Sequence, residues 1–121
     1  MPDPRHELGL RAEEAAARWL VGNGWLVLDR RWRSASGELD LVCTAPDGTL
    51  VGVEVKLRST GRAGSALEAL DRRRLARLRA TLRDYGREAR ESGRGRRIDL
   101  ITATPAEGRW RLVRMAGVDA W

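Results

Sequence analysis

The chain has one cysteine, one histidine and one lysine, and each scarcity removes a class of chemistry. Cys43 alone excludes an internal disulfide framework, and with His6 as the only histidine a Cys/His zinc cluster is excluded too. Ser-His-Asp and Cys-His catalysis are disfavoured on the same grounds. No apolar run approaches the roughly 20 residues that a membrane-spanning helix needs. Asp3, His6 and Glu7 stand where a signal peptide would need an apolar stretch, so the cytoplasm is the expected compartment. With 121 residues, 42% hydrophobic and 33% charged, one domain over residues 1–121 is expected, large enough to fold without disulfides or a structural metal.

Arginine is abundant. Of 23 basic residues 22 are arginine, against 17 acidic ones, giving a net charge of +6 and a pI near 11.0. Residues 72–97 hold eleven arginines against Asp84, Glu88 and Glu91, a balance of +8. Such a stretch suits a polyanion, and the alternative is a solvated helix face. The candidate nucleic-acid contacts are Arg33, Arg58, Arg72, Arg73 and Arg77. Lys56 is the sole lysine, as expected where a compact ammonium with a tunable pKa is needed, or where one lysine survives by chance.

The first helix is expected to start at Asp3 as N-cap with Pro4 following, and to stop at Gly22-Asn23-Gly24. At about 100° per residue, Leu8, Ala12, Ala16, Trp19 and Leu20 share its apolar side, with Glu13 on the flank of that side beside Leu20. Glu14 can pair with Arg18. Trp25 to Leu28 reads as a short strand, followed by a basic connection through Arg30, Arg31 and Arg33. Two alternating strands follow. In Glu38–Cys43, Leu39, Leu41 and Cys43 oppose Glu38, Asp40 and Val42; in Leu50–Lys56, Val51, Val53 and Val55 oppose Gly52, Glu54 and Lys56. Pro46-Asp47-Gly48 between them suits a three-residue hairpin loop that pairs Ala45 with Thr49. A helix from about Ala66 to Glu91 carries Leu67, Leu75, Leu78, Leu82 and Tyr85 on one side. Late strands near Arg97–Thr102 and Arg109–Arg114 flank the turn-prone Pro105–Gly108. The order α-β-β-β-α-β-β argues an α/β fold, a mixed sheet flanked by helices. Trp19 and Trp25 are expected in the core, Trp32 in a packing role rather than stacked on a base, Cys43 in the core and His6 at the surface.

The hairpin register sets Asp40 opposite Glu54 and Glu38 opposite Lys56. Directly opposed side chains have Cβ atoms about 4.5–5.5 Å apart, a range at which like charges destabilise unless something compensates. A divalent cation compensates, since Mg²⁺ is held by one or two carboxylates plus water and phosphate oxygens. Metal there activates water and stabilises charge on phosphate, while a lysine ammonium positions the nucleophile or neutralises developing charge. The candidate catalytic set is Asp40, Glu54, Lys56 and Glu13, with Asp40 and Glu54 as metal ligands. Alternating charge also marks a strand's solvent face, so spacing alone leaves both readings open.

Gly37-Glu38-Leu39-Asp40, a hairpin, Val53-Glu54-Val55-Lys56 with Arg58 after it, and Gly9 followed by Glu13 and Ala16 together resemble the YraN-like bacterial family. That family resembles the PD-(D/E)XK, restriction-endonuclease-like nuclease superfamily. The similarity runs from about Gly9 to Trp121 and takes in Arg97-Ile98-Asp99 and Asp119-Ala120-Trp121. It implies a restriction-endonuclease-like fold, metal ligation by Asp40 and Glu54, assistance to the nucleophile by Lys56, and an auxiliary acidic role for Glu13; for Glu38 it leaves a helper or a purely structural role. Arg31 stands where the family often has asparagine, Gly52 where a bulky apolar residue is usual, and Arg74 where lysine is common. Gly52 is expected to leave its strand less tightly packed. The implied function is a Mg²⁺- or Mn²⁺-dependent endonuclease that hydrolyses DNA phosphodiester bonds, with branched or repair-related substrates and DNA favoured over RNA. A lone site cuts one strand per event, so a homodimer is a further expectation, and no membrane partner is expected. The alternatives are a non-catalytic module that binds nucleic acid or a repair partner, and a basic helix that docks protein.

Overall fold

A computed structural model describes residues 3–59, 63–90 and 95–120. Helix α1 (Pro4–Gly22) begins as expected, with the Asp3 carboxylate accepting from the Arg5 N–H, and ends at Asn23. Its buried residues are Ala12, Ala16, Ala17 and Leu20. The buried stripe is thus turned toward Ala17, which draws the Glu13 flank inward and turns Trp19 out. Trp19 is 38% exposed and is not a core residue, contrary to the sequence expectation.

Strands β1 (Leu26–Ser34), β2 (Gly37–Thr44), β3 (Leu50–Leu57), β4 (Arg96–Ala106) and β5 (Arg109–Met115) form one sheet in the order β1-β2-β3-β4-β5. Only β3 and β4 run parallel. Parallel neighbours need a crossover, which two helices supply, α2 (Ala63–Glu68) and α3 (Arg72–Glu88). The expected single helix from Ala66 is therefore broken. Asp71 is the physical cause, because its extended backbone and its carboxylate, accepting from the Arg74 N–H at 2.8 Å, make it the N-cap of a new helix. Leu67 falls before that break and is 40% exposed instead of joining Leu75, Leu78, Leu82 and Tyr85 in the core. The expected end at Glu91, together with Arg94 and Trp121, lies outside the described residues.

The two sheet faces carry separate cores. Ala16, Ala17 and Leu20 of α1 pack with Trp25, Leu41, Cys43, Val51, Val53 and Ile101. Leu75, Leu78, Leu82 and Tyr85 of α3 pack with Leu39, Val42, Leu50, Ile98 and Leu100. Leu39 and Leu41 thus lie on opposite faces although two residues apart, which corrects the expected common face. The pleat slips between them, at Asp40. Opposite that slip, β1 places Arg31 at φ 45, and β1 also bulges between Val27 and Asp29. The basic segment read as a connection is therefore strand, and Arg30 and Arg33 pair with Leu41 and Glu38. β4 also runs past the expected turn, with Pro105 paired to Trp110 on the outermost strand pair. Gly52 is tightly enclosed, for a Cβ built there would lie 2.9 Å from Leu39 Cδ2 and 3.1 Å from Ile98 Cδ1. The residues facing it fill the space that the sequence reading left loose.

Several expectations hold. Trp25 and Cys43 are buried, His6 is exposed, and Trp32 meets Tyr85 edge-on at 5.1 Å. The guanidinium groups of Arg97 and Arg114 lie 5.6 and 5.1 Å from the centre of the Trp25 ring. Both arginines are held by the fully buried Asp99, at 2.9 and 3.0 Å. No helix among the described residues is long and apolar enough to cross a membrane.

Candidate functional site

The β2–β3 hairpin fixes the site. Gly48 at φ 91 donates to the Ala45 carbonyl, and the Ala45 N–H donates to Thr49 at 2.9 Å, so the three-residue loop sets the expected register. The ladder runs from Thr44↔Leu50 to Leu41↔Val53. One step further come Asp40 and Glu54, where the strands part and side chains replace the backbone bonds. An Asp40 carboxylate oxygen accepts from the Val55 N–H at 2.8 Å. The β2–β3 backbone pairing stops short of Glu38 and Lys56; on its other edge Glu38 pairs with Arg33 of β1, backbone to backbone and through a 2.9 Å ion pair.

Asp40 and Glu54 share a hydrogen bond, and their acidities move in opposite directions. Burial, then the hydrogen bond to Glu54 and its charge, push Asp40 up to about 9. Burial works to raise Glu54 as well, but hydrogen bonds from Asp40 and Arg74 and the charges of Arg74 and Lys56 outweigh it and hold Glu54 below the usual carboxylate range. A buried and a half-buried carboxyl group in contact cannot both ionise cheaply, so one proton stays with the pair and sits on Asp40. Glu54 is only 4% exposed.

Arg74, on the first turn of α3, is the partner that the sequence reading did not assign. Its guanidinium donates twice to one Glu54 oxygen, at 2.5 and 3.2 Å. The available signal was Asp71, which starts α3 and so sets Arg74 over the end of β3. Arg74 and Arg77 also line a cleft of roughly 300 Å³ with Glu38, Gly37 and Ser36, between α3 and the β1–β2 turn. Ser34 and Ser36 both donate to Asp84 at 2.7 Å, pinning that turn to α3.

The other candidate residues are spread around this pair. Lys56 is half-buried, on the β3 face that carries Glu54 and near enough to influence its charge. Glu13 is set further out, 3.9 Å from Arg31. Burial raises its pKa, opposed by Arg31 and reinforced by the charges of Glu38 and Glu54. Arg72, Arg73 and Arg77 are exposed on the first turns of α3, Arg33 is exposed on β1, and Arg58 donates to the Leu57 carbonyl at 3.2 Å.

Asp40 and Glu54 are the residues that could hold a hard cation. A divalent ion would take the place of the shared proton, an exchange suited to two carboxylates already in contact. No group of three or more Asp, Glu, His or Cys among the described residues forms a complete cage. The remaining ligands would be water and phosphate oxygens, the usual arrangement for Mg²⁺.

Residues 12–103 match the sequence profile described as uncharacterised protein family UPF0102. A UPF0102 protein of Beutenbergia cavernae is 42% identical over 113 residues, covering 92% of this chain and 94% of that protein. One from Leifsonia xyli is 38% identical over 97 residues, 80% of this chain and 81% of the relative. Another, from Methylococcus capsulatus, is 40% identical over 97 residues, 80% and 77% respectively.

Proposed function

The chain belongs to the UPF0102 family, and on that premise we propose that it is a divalent-metal-dependent endonuclease acting on DNA, with Mg²⁺ or Mn²⁺ as cofactor. The observation that carries this reading is the contact of half-buried Asp40 with buried Glu54, placed where β2 and β3 diverge, with Lys56 two residues on and the arginines of α3 alongside. Asp40 and Glu54 would hold the cation, which when bound would activate a water and polarise a phosphodiester. Lys56 would neutralise charge gathering on the phosphate. Arg72, Arg73 and Arg77 would hold the backbone on either side, with Arg33 and Arg58 at the rim. Glu13 would act through Arg31 as an outlying acidic residue, and a homodimer would be needed to cut both strands together.

A second reading is a nucleic-acid-binding module without turnover. The contact between Arg74 and Glu54 favours it, because an arginine there competes with a cation for the same carboxylate. The two readings part in a cleavage assay on labelled single-stranded, duplex, flap and four-way-junction DNA and on RNA, with Mg²⁺ and Mn²⁺. Products from the wild-type protein and none from Glu54→Ala are expected. Binding without product from either protein would overturn the nuclease reading and leave the binding module.

A further inference from the structure

A second basic cleft lies on the α3 side of the sheet, away from the carboxylate pair. It encloses about 120 Å³ between Arg79, Leu82 and Arg83 of α3, Arg96 and Arg97 of β4, and Asp119. Three arginines, Arg79, Arg83 and Arg96, thus surround one carboxylate, whereas the Arg97 guanidinium is turned to the opposite sheet face with Asp99 and Trp25. One of the three is already positioned, for Asp119 accepts from the Ile98 N–H at 2.9 Å and holds Arg79 at 3.5 Å. Arg83 and Arg96 are exposed at the cleft. A cleft of this size admits a tetrahedral oxyanion. Planar forks of this kind match phosphate oxygens, and a guanidinium fixed in advance, as Arg79 is by Asp119, loses little entropy on binding.

Two structural rulers give its distance from the carboxylate pair. Arg97 and Arg96 precede Leu100, the partner of Glu54, by three and four residues, or about 10–13 Å along the strand. Arg79 and Arg83 follow Arg74 by five and nine residues, or about 7–14 Å along the helix. Both rulers agree because α3 runs back along the sheet from Glu54 toward the start of β4.

We propose that this cleft seats a backbone phosphate of a bound nucleic acid, about 10–13 Å from the phosphodiester at the Asp40–Glu54 pair. The placement relative to the pair rests on the function proposed above; occupation of the cleft by a phosphate of nucleic acid does not require cleavage.

The test is a salt titration of duplex oligonucleotide binding to the full chain in three forms: wild type, Arg83→Gln/Arg96→Gln, and Arg109→Gln/Arg111→Gln as a variant of equal charge outside the cleft. NMR spectra check that each form is folded and follow the cleft residues as inorganic phosphate and then oligonucleotide are added. The cleft variant is expected to bind about tenfold more weakly, with a salt slope smaller by about 1.8, while the control loses less than half as much. Phosphate is expected to shift the cleft resonances and oligonucleotide to displace it. A wild-type slope in the cleft variant, or an equal loss in the control, overturns the proposal even if the protein cuts DNA. Phosphate bound at the cleft but not displaced by oligonucleotide assigns it to a free anion and overturns it as well. Loss of slope in the cleft variant of a protein that never cuts leaves the cleft in place and removes only the nuclease reading.

Discussion

The Arg74 guanidinium lies 2.5 Å from a Glu54 carboxylate oxygen, so the buried acid on β3 is balanced by a cation from the first turn of α3. Removing that cation leaves Glu54 buried beside Asp40 without its counter-charge. Arg74→Ala is expected to cost roughly 1–2 kcal/mol in the presence of a chelator, less than a fully buried pair because the arginine is partly exposed. It also frees Glu54 for a cation. Mg²⁺ should therefore raise the melting temperature of Arg74→Ala by more than that of the wild type. Thermal melts of both proteins with chelator and with Mg²⁺ check this, and equal shifts would argue against cation binding at Glu54.

Asp40 carries a cost that an amide would remove. Its folded pKa is raised from 3.8 to about 9, so the folded state keeps a proton that the unfolded chain releases. The favourable contribution is full below the unfolded value and is lost progressively as pH rises toward the folded one. In Asp40→Asn the side-chain amide would still accept from the Val55 N–H and donate to Glu54, with no proton to hold. Asp40→Asn is therefore expected to melt roughly 3–6 °C above the wild type near pH 8, equivalent to about 1 kcal/mol, with the gap closing toward about pH 4. A lower melting temperature at about pH 8 would contradict the shared proton.

Arg31 is an arginine in the left-handed region, at φ 45, where a side chain costs about 1–2 kcal/mol and asparagine is better tolerated. Its ion pair with Glu13 is long, at 3.9 Å, and its side chain is half exposed, so the pair offsets little of that cost. Arg31→Asn is expected to stabilise the protein by about 0.5–1 kcal/mol, whereas Arg31→Val should destabilise it, since branching at Cβ is least compatible with positive φ. Urea unfolding midpoints of the two variants would separate this backbone effect from loss of charge, which is common to both.

The hairpin was legible because two signals agree, Pro46-Asp47-Gly48 for the loop and the alternation of Val51, Val53 and Val55 for the faces. Together they place Asp40 opposite Glu54. The slip between Leu39 and Leu41 was hidden, because alternation assumes an unbroken pleat and the irregularity is set by the facing strand at Arg31. The break at Asp71 left a readable trace, an N-cap residue, which the continuous run of arginines and leucines masked. Arg74 shows the remaining limit. Its side chain matters because α3 lies over β3, and that placement is a tertiary fact which no local pattern carries.

Gly52 distinguishes the sequence reading from the structure most directly. A loosely packed strand would gain from a larger side chain, so Gly52→Val would stabilise. In the structure the position is closed by Leu39 Cδ2, 2.9 Å from a Cβ, and by Ile98 Cδ1 at 3.1 Å. Gly52→Val is therefore expected to cost about 1–3 kcal/mol by overpacking, and Leu39→Ala about 2–5 kcal/mol by opening a cavity in the fully buried core beside it. Each change relieves the defect made by the other. The double variant should be more stable than the sum of the two losses by at least about 1 kcal/mol, a coupling that urea unfolding of the four proteins in the cycle can resolve. Additive losses would mean that Leu39 does not occupy the space above Gly52, and a stabilised Gly52→Val would restore the looser strand.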